Sequence, residues 1–155
     1  QERWGELRQN LDVATDAEAD AMLGRFGVTA DAVEIWGTGR PLREFLHSDD
    51  MAAACVWLMQ NIDFADLSAG STEVRNTHIN IGSGVDLSIA DLASMIREIV
   101  GFDGELRFNP TKPDGTMRKL MDVSKLTALG WKAKIGLREG IEEVYRQYCS
   151  EATEA

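Results

Sequence analysis

The sequence predicts a mixed α/β fold built from several helices and a few short strands. Apolar residues recur at helical spacing in the longer segments, most clearly from Ile89 to Val100, where Gly101 ends the pattern. Short alternating runs over residues 33–36 and 77–81 separate the helical segments, as strands of a small sheet would. A chain of 155 residues with 44% hydrophobic content is large enough to form a core.

The N-terminal part of the chain begins with two short helical patterns. The predicted elements are helices over residues 2–11 and 16–26, a strand over 33–36 and a helix from 48 to 59. Thr15 or Asp16 is expected to cap the second helix. Ser48 or Asp49 is expected to cap the longer helix, with Asp50 placed favourably at the positive end of its dipole.

The rest of the chain alternates strands and helices around glycine turns. A polar loop over residues 63–76 precedes a strand over 77–81, a turn at 82–84, a helix from 88 to 100, a strand over 105–108 and helices over 123–129 and 137–150. Ser88 and Asp91 have the spacing of a capping box at the first of these helices. The glycine turn before it is therefore predicted to be a simple connection between strand and helix.

The overall charge limits the partners of this chain. Its formal net charge is −10, which argues against general binding to nucleic acids or anionic membranes. No stretch approaches the roughly 18 apolar residues of a membrane span. Cys55 and Cys149 lie far apart without CxxC spacing, which indicates thiols in a reducing compartment. We therefore expect a cytoplasmic protein.

Positive charge is concentrated in one part of this acidic chain. Residues 105–134 contain seven Lys or Arg against three Asp or Glu. Within them, Lys112-Pro-Asp-Gly-Thr-Met-Arg-Lys119 forms a tight turn, because Pro fixes φ, Asp caps its own backbone and Gly accepts positive φ. Backbone N–H groups beside Lys112, Arg118 and Lys119 suit a small polyanion such as a sugar diphosphate. The simpler alternative is a solvated surface loop.

A second segment with ligand-binding chemistry is Trp36-Gly-Thr-Gly-Arg-Pro-Leu-Arg43. Trp36 offers a flat ring for stacking, and the planar guanidinium of Arg43 can pair bidentately with phosphate oxygens. The alternative for Trp36 is a place in the core. His47, which Ser-Asp-Asp follows, is interpreted as a residue packed at a strand end rather than as an acid–base group.

Several catalytic patterns are missing from these residues. After Gly82-Ser-Gly84, the third glycine of a dinucleotide-binding GxGxxG falls at Leu87. Neither Tyr145 nor Tyr148 is followed four residues later by Lys, so the sequence has no Tyr-Lys pair for proton transfer. The two histidines have no partners at the spacing of metal ligands. We expect no catalytic, cofactor-binding or metal-ligating residue in this chain.

Taken together, these segments resemble one part of a known family. The matching blocks are, in order, Val33-Glu-Ile-Trp-Gly-Thr-Gly39, Arg43-Glu-Phe-Leu-His-Ser-Asp-Asp-Met51, Ile79-Asn-Ile-Gly-Ser-Gly84, Lys112-Pro-Asp-Gly-Thr-Met-Arg-Lys-Leu120, Asp122-Val-Ser-Lys-Leu and Leu129-Gly-Trp131. They are similar to the C-terminal part of the GDP-L-fucose synthases, which are epimerase/reductases of the extended short-chain dehydrogenase/reductase family. The second block is shared among nucleotide-sugar epimerases, whereas the fourth is much more specific.

The resemblance implies that the complete protein has two domains with different functions. In that family a Rossmann domain binds NADP and carries the catalytic residues, and the smaller C-terminal part holds the GDP-sugar; the Rossmann domain is absent from these residues. By motif match, the substrate-binding positions are Trp36, Arg43, Asp114 and Lys119. The implied organisation is a helical flanking segment or insertion over 1–32, a nucleotide-sugar-binding domain over 33–150 and a tail over 151–155.

The same resemblance implies that the complete protein converts GDP-4-keto-6-deoxy-D-mannose to GDP-L-fucose with NADPH, as a homodimer. Its partners would be the GDP-sugar and the Rossmann domain of the same protein. The chain alone is expected to be inactive, because hydride and proton transfer need residues that it lacks. Two alternatives stay open: part of another nucleotide-sugar epimerase or dehydratase, and a non-catalytic nucleotide-sugar-binding module.

Overall fold

The computed structural model describes residues 12–70 and 73–154. The helices are α1 (Asp16–Gly24), α2 (Ser48–Asn61), α3 (Phe64–Ser68), α4 (Ile89–Val100), α5 (Ser124–Leu129) and α6 (Leu137–Glu154). The strands are β1 (Ala32–Trp36), β2 (Leu42–Glu44), β3 (Asp86–Ser88), β4 (Glu105–Asn109) and β5 (Arg118–Lys119). The predicted mixed α/β architecture with few, short strands is confirmed. The helix predicted over residues 2–11 lies outside the described residues.

The chain folds as two compact units, each made from two separate segments. The first unit contains the residues up to Pro41 together with Ile89–Gly115, and the second contains Leu42–Ser88 together with the residues from Thr116 onward. In the first unit, β1 and β4 pair in parallel. In the second, β2 is the central strand of a three-stranded sheet, antiparallel to β3 and parallel to β5. Each ladder therefore joins segments that are distant in sequence.

Local signals predicted most of the helices. Thr15 caps α1 through a capping box, because its hydroxyl accepts the Glu18 N–H and the Glu18 carboxylate accepts the Thr15 N–H. Helix α4 coincides with the apolar periodicity, and α6 extends past its predicted end. The short helix α3 was not predicted, since it lies in the segment expected to be a polar loop.

The start of α2 differs from the prediction. His47 is the N-cap, one residue before Ser48, and its Nδ1 accepts the Asp49 N–H at 3.2 Å. Histidine can do this because an unprotonated Nδ1 is an acceptor within reach of the first helical N–H groups. The Nε2 atom of His47 is buried and has no hydrogen-bond partner among the described residues. The interpretation of Ser48 or Asp49 as the cap was therefore wrong.

Asp50 does not face solvent at the positive end of α2. Its side chain is 3% exposed, and its Oδ2 accepts the N–H groups of Lys134 at 2.9 Å and Ile135 at 2.8 Å. A buried carboxylate needs such donors, because a desolvated charge without hydrogen bonds is strongly unfavourable. Asp50 therefore fastens the segment before α6 to α2 within the second unit.

The strand predicted over residues 77–81 is not formed. These residues pair with no strand in the described part of the chain. The core of the second unit is a small buried cluster of Ala54, Leu126 and Trp131, and both Ile79 and Ile81 pack against it. The alternation of residues 77–81 thus reflects which side chains pack against the core. A strand also needs a hydrogen-bonded neighbouring strand.

Candidate functional site

The end of the β1–β4 pair presents an exposed tryptophan. Trp36 lies opposite Asn109 in the parallel register, at the last paired position of both strands. The Trp36 side chain is one of the exposed large hydrophobics, at 65%, so the alternative of a core residue is wrong. The ammonium of Lys112 lies 5.2 Å from the centroid of its ring, which is a cation–π distance.

Asn109 explains how Lys112 reaches that ring. The Asn109 Oδ1 accepts the Thr111 N–H at 3.1 Å and the Thr111 hydroxyl at 2.6 Å, and the Asn109 carbonyl accepts the Lys112 N–H at 3.1 Å. These bonds form an Asx-type turn directly after β4. The Asn109 Nδ2 donates to Glu34 at 3.0 Å, which ties the turn to β1. The sequence indicated Lys112 as part of the basic turn but gave no sign of its contact with Trp36.

Asp114 holds the glycine turn that follows Trp36. Its carboxylate accepts the N–H of Thr38 and, at 2.8 Å, the hydroxyl of Thr38. These hydrogen bonds, the backbone one first, lower the pKa of Asp114 from its usual value. Gly37 has a φ of 85°, and a Cβ at that position would overlap the Asp114 carboxylate, so the close approach requires glycine. Asp114 thus has a structural role, and its contact with a ligand stays a prediction.

Arg43 and Lys119 are direct neighbours in the parallel ladder between β2 and β5. Side chains at such paired positions project from the same face of a sheet, so the two cations share a face. The Arg43 Nη1 donates to the Leu42 carbonyl at 2.7 Å, and neither cation forms a salt bridge with a described residue. This pair is therefore available to an anion.

Arg118, the third cation of the basic turn, is held by the protein itself. Its guanidinium donates to Asp86 through Nε at 2.6 Å and through Nη2 at 3.3 Å. This hydrogen-bonded pair lowers the pKa of Asp86 and raises the pKa of Arg118. Arg118 is one residue from Lys119 in β5 and so points to the opposite face of the sheet. Its role is to join two edge strands across β2.

The turn at Gly82-Ser83-Gly84 binds a carboxylate of its own chain. The Glu44 Oε1 accepts the Gly84 N–H at 2.6 Å and the Ser83 hydroxyl at 3.2 Å, and its Oε2 accepts the Met121 N–H at 3.1 Å. A Cβ at Gly82 would lie 2.5 Å from the Glu44 Oε1, so glycine permits the close contact. No local pattern in the sequence indicates this role of Glu44, because folding brings its donors together from distant segments.

The predicted site residues thus occur as two pairs, one in each unit. Trp36 and Asp114 belong to the first unit, and Arg43 and Lys119 belong to the second. In the residues that the structure describes, no group of three or more His, Cys, Asp or Glu could hold a metal ion. No described helix is both long and apolar enough to cross a bilayer.

A separate groove in the first unit has different chemistry. It has a volume of about 420 Å³ and lies between α4 and the β1–β4 pair; its lining includes Val33, Ile35, Ile96, Phe102 and Leu106. This lining is almost entirely apolar, so the groove offers little to a phosphate or a sugar. Trp36, the exposed Lys112 and Lys119, and the half-buried Arg43 remain the better candidates for a polar ligand.

Comparisons with known proteins identify relatives of this chain. The NAD dependent epimerase/dehydratase family matches residues 13–82. The putative GDP-L-fucose synthase 2 of Arabidopsis thaliana is 50% identical over 119 residues, which are 77% of this chain and 33% of that protein. This chain is therefore related to GDP-L-fucose synthases over the part of their length that it spans, and the resemblance found in the sequence is confirmed.

Two solved structures are similar over almost the whole chain. A GDP-6-OMe-4-keto-L-xylo-heptose reductase from C. jejuni is 49% identical with a TM-score of 0.89, and the match covers 95% of this chain and 42% of that one. A GDP-D-glycero-L-gluco-heptose synthase from Campylobacter jejuni, solved in the presence of NADPH, is 48% identical with a TM-score of 0.86 and the same coverage. This chain therefore spans about a third to two fifths of the length of its relatives.

Proposed function

We propose that this chain, a relative of GDP-L-fucose synthases, is the GDP-sugar-binding part of an NADP-dependent epimerase/reductase that converts GDP-4-keto-6-deoxy-D-mannose to GDP-L-fucose. The observation that carries the proposal is the adjacent placement of Arg43 and Lys119 on one face of the β2–β5 ladder. Two neighbouring cations that form no salt bridge with a described residue suit the two phosphates of a nucleoside diphosphate. The names of the relatives support GDP-sugars as the ligand class.

Each of the four residues has a distinct proposed role. The exposed ring of Trp36 stacks on the guanine base, and Arg43 and Lys119 bind the diphosphate. Both Asp114 oxygens already accept a hydrogen bond from Thr38, but each oxygen retains a further lone pair. Asp114 can therefore also accept a hydrogen bond from guanine or from a sugar hydroxyl.

The proposal assigns NADP to a Rossmann domain of the same protein and the active form to a homodimer. Exposed apolar side chains in both units support a covering partner, since apolar surface is often buried where domains contact each other. Among the exposed large ones are Phe26, Phe64, Met59, Val74 and Val85. Residues 77–81, which pair with no described strand, are a further surface on which another strand can pair. The chain alone would lack the groups for hydride and proton transfer.

A GDP-heptose is the second candidate substrate. The solved relatives named for GDP-heptoses are 48–49% identical to this chain, close to the 50% of the Arabidopsis protein named for GDP-L-fucose. The shared chemistry is the GDP group, whereas the sugar differs. The four proposed residues contact the nucleotide more than the sugar in this proposal. A direct comparison of the two substrates therefore has to decide which sugar is preferred.

The decisive experiment compares the complete protein and the isolated chain, each with NADPH and either GDP-4-keto-6-deoxymannose or a GDP-4-keto-heptose. We expect NADPH oxidation by the complete protein only, with higher kcat/KM for the deoxymannose compound. Preference for the heptose would move the assignment to the second candidate. Binding of both GDP-sugars without turnover by the complete protein would support a non-catalytic module. Turnover by the isolated chain, shown to be free of complete enzyme, would refute the expected inactivity.

A further inference from the structure

One face of the Trp36 ring is already occupied in the first unit. The Lys112 ammonium lies 5.2 Å from the ring centroid, while the ring as a whole stays largely exposed. Stacked aromatic rings place their centroids about 4.5–7 Å apart. A base on this face would therefore need the space that the ammonium fills. Lys112 and a stacked base exclude each other on this face.

The position of Lys112 is set by the backbone and not only by its flexible side chain. Asn109, paired with Trp36 at the end of the ladder, accepts the Lys112 N–H through its carbonyl. The Asn109 side chain at the same time binds Thr111 and Glu34. The turn thus begins at Asn109, directly opposite Trp36, and places Lys112 over the ring three residues later. The residue that covers the ring belongs to the same turn as Asp114.

We propose that Lys112 is an exchangeable cover of Trp36, which leaves the ring when a nucleoside diphosphate binds and moves its ammonium to a phosphate. This inference rests on the proposed function, because it takes Trp36 as the site of the base. An exposed cation–π contact is weak, whereas an ammonium–phosphate hydrogen bond is among the stronger polar contacts. The contact with a phosphate can therefore replace the cation–π contact that Lys112 loses.

A nucleoside without phosphates cannot make this exchange. On the covered face it offers only stacking, and it must displace the ammonium without giving it a new partner. Lys112 would therefore act as a positioning residue that favours phosphorylated ligands in two ways: it attracts the diphosphate, and it competes with guanosine and other neutral aromatic compounds for one face of the ring. The other proposed residues do not predict this second effect.

The experiment follows the indole N–H signal of Trp36 by NMR during titration of the complete protein with guanosine and with GDP. Trp36→Phe assigns the signal by its loss. In Lys112→Ala, we expect guanosine to bind about two- to fivefold more tightly, because the competing cation is gone. We expect GDP to bind about tenfold more weakly, because one charge-assisted contact is lost. Opposite changes for the two ligands are the signature of an exchange.

Two control variants make the result specific. Lys112→Arg keeps the charge and can stack on the ring, so the preference for GDP over guanosine should be retained. Lys132→Ala removes an exposed lysine from the second unit and should change neither affinity. Circular dichroism of Lys112→Ala should match that of the original chain, because its side chain is exposed.

The failure of this inference can be told apart from the failure of the proposed function. If GDP shifts the Trp36 signal but Lys112→Ala weakens both ligands or changes neither, the exchange is wrong and the role of Trp36 stands. If GDP leaves the Trp36 signal unchanged in every variant, the proposed role of Trp36 fails, and the inference fails with it.

Discussion

The carboxylate of Asp114 accepts hydrogen bonds from both the backbone N–H and the hydroxyl of Thr38. This relationship joins the turn after Trp36 to the turn that contains Gly115 within the first unit. The bonds favour the charged carboxylate and lower the Asp114 pKa from the ordinary value of 3.8. The link is therefore sensitive to pH.

Acid should remove the stabilisation that this carboxylate provides. A group with a lowered pKa in the folded state contributes stability above its unfolded pKa, and the contribution is lost as the pH falls through the folded pKa. We expect Asp114→Asn to be less stable than the original chain near neutral pH, and we expect the difference to shrink below about pH 4. Urea unfolding between about pH 7 and pH 2.5 measures it. A difference that stays constant over this range would contradict the role of the charge.

Replacing Asp50 should distinguish the loss of an acceptor from the loss of a charge. Asp50→Ala leaves the N–H groups of Lys134 and Ile135 without their partner, which should lower the free energy of unfolding by about 1–3 kcal/mol. Asp50→Asn keeps an oxygen at the same place and should lose much less. Thermal and urea unfolding of both variants provide the measurement. Equal losses would show that the charge, and not the acceptor, is what matters.

Glu44 offers the same test at the glycine turn. Glu44→Ala should destabilise the second unit by about 1–3 kcal/mol, because the N–H groups of Gly84 and Met121 lose their acceptor. Glu44→Gln retains one acceptor oxygen, so its free energy of unfolding should lie between those of the original chain and Glu44→Ala. Hydrogen exchange at the amides of Gly84 and Met121 reports the effect locally. Unchanged protection of both amides in Glu44→Ala would contradict this role of Glu44.

Arg43→Ala and Lys119→Ala in the complete enzyme should each weaken GDP-sugar binding. The loss of one charge-assisted contact to the diphosphate costs about 1.5–3 kcal/mol, or roughly tenfold to 150-fold in Kd. NADP affinity should barely change. Trp36→Ala should also weaken GDP-sugar binding, with less dependence on salt, because stacking is screened less than a charge pair.

The matched control for these variants is Arg107→Ala. Arg107 is an exposed cation of β4 that pairs with Glu105 at 2.8 Å, so its removal should leave GDP-sugar binding unchanged. Calorimetric titration with GDP-sugar and with NADP separates the two ligands. If Arg107→Ala weakens GDP-sugar binding as much as Arg43→Ala does, the effect is a general one of charge and the assigned pair is wrong.

The isolated chain should self-associate through exposed apolar surface. On α2, the side chains of Cys55, Val56 and Met59 are exposed at helical spacing, with Met59 at 84%. Val56→Lys together with Met59→Lys should reduce association and the binding of an apolar dye. Sedimentation velocity measures the association. A monodisperse monomer without dye binding would remove this argument for a covering partner.

The sequence alone determined the parts of this protein whose interactions are local. Helices α4 and α6 and the cap of α1 follow from residues three or four positions apart, because helical hydrogen bonds and caps join near neighbours. The order of the motifs along the chain was also sufficient to identify its relatives. The two candidate pairs came from the same motifs, and their ligand contacts stay predictions.

The tertiary structure decided what depends on distant partners. Strand β2 is part of a sheet only because β3 and β5, from later segments of the chain, pair with it. Residues 77–81 have the alternation of a strand but no such neighbour in the described part of the chain. The roles of Glu44 and Asp50 depend on donors far along the chain, and so does the cover that Lys112 places on Trp36. Sequence periodicity does not predict these long-range contacts, because loop closure and packing select them among many compatible pairings.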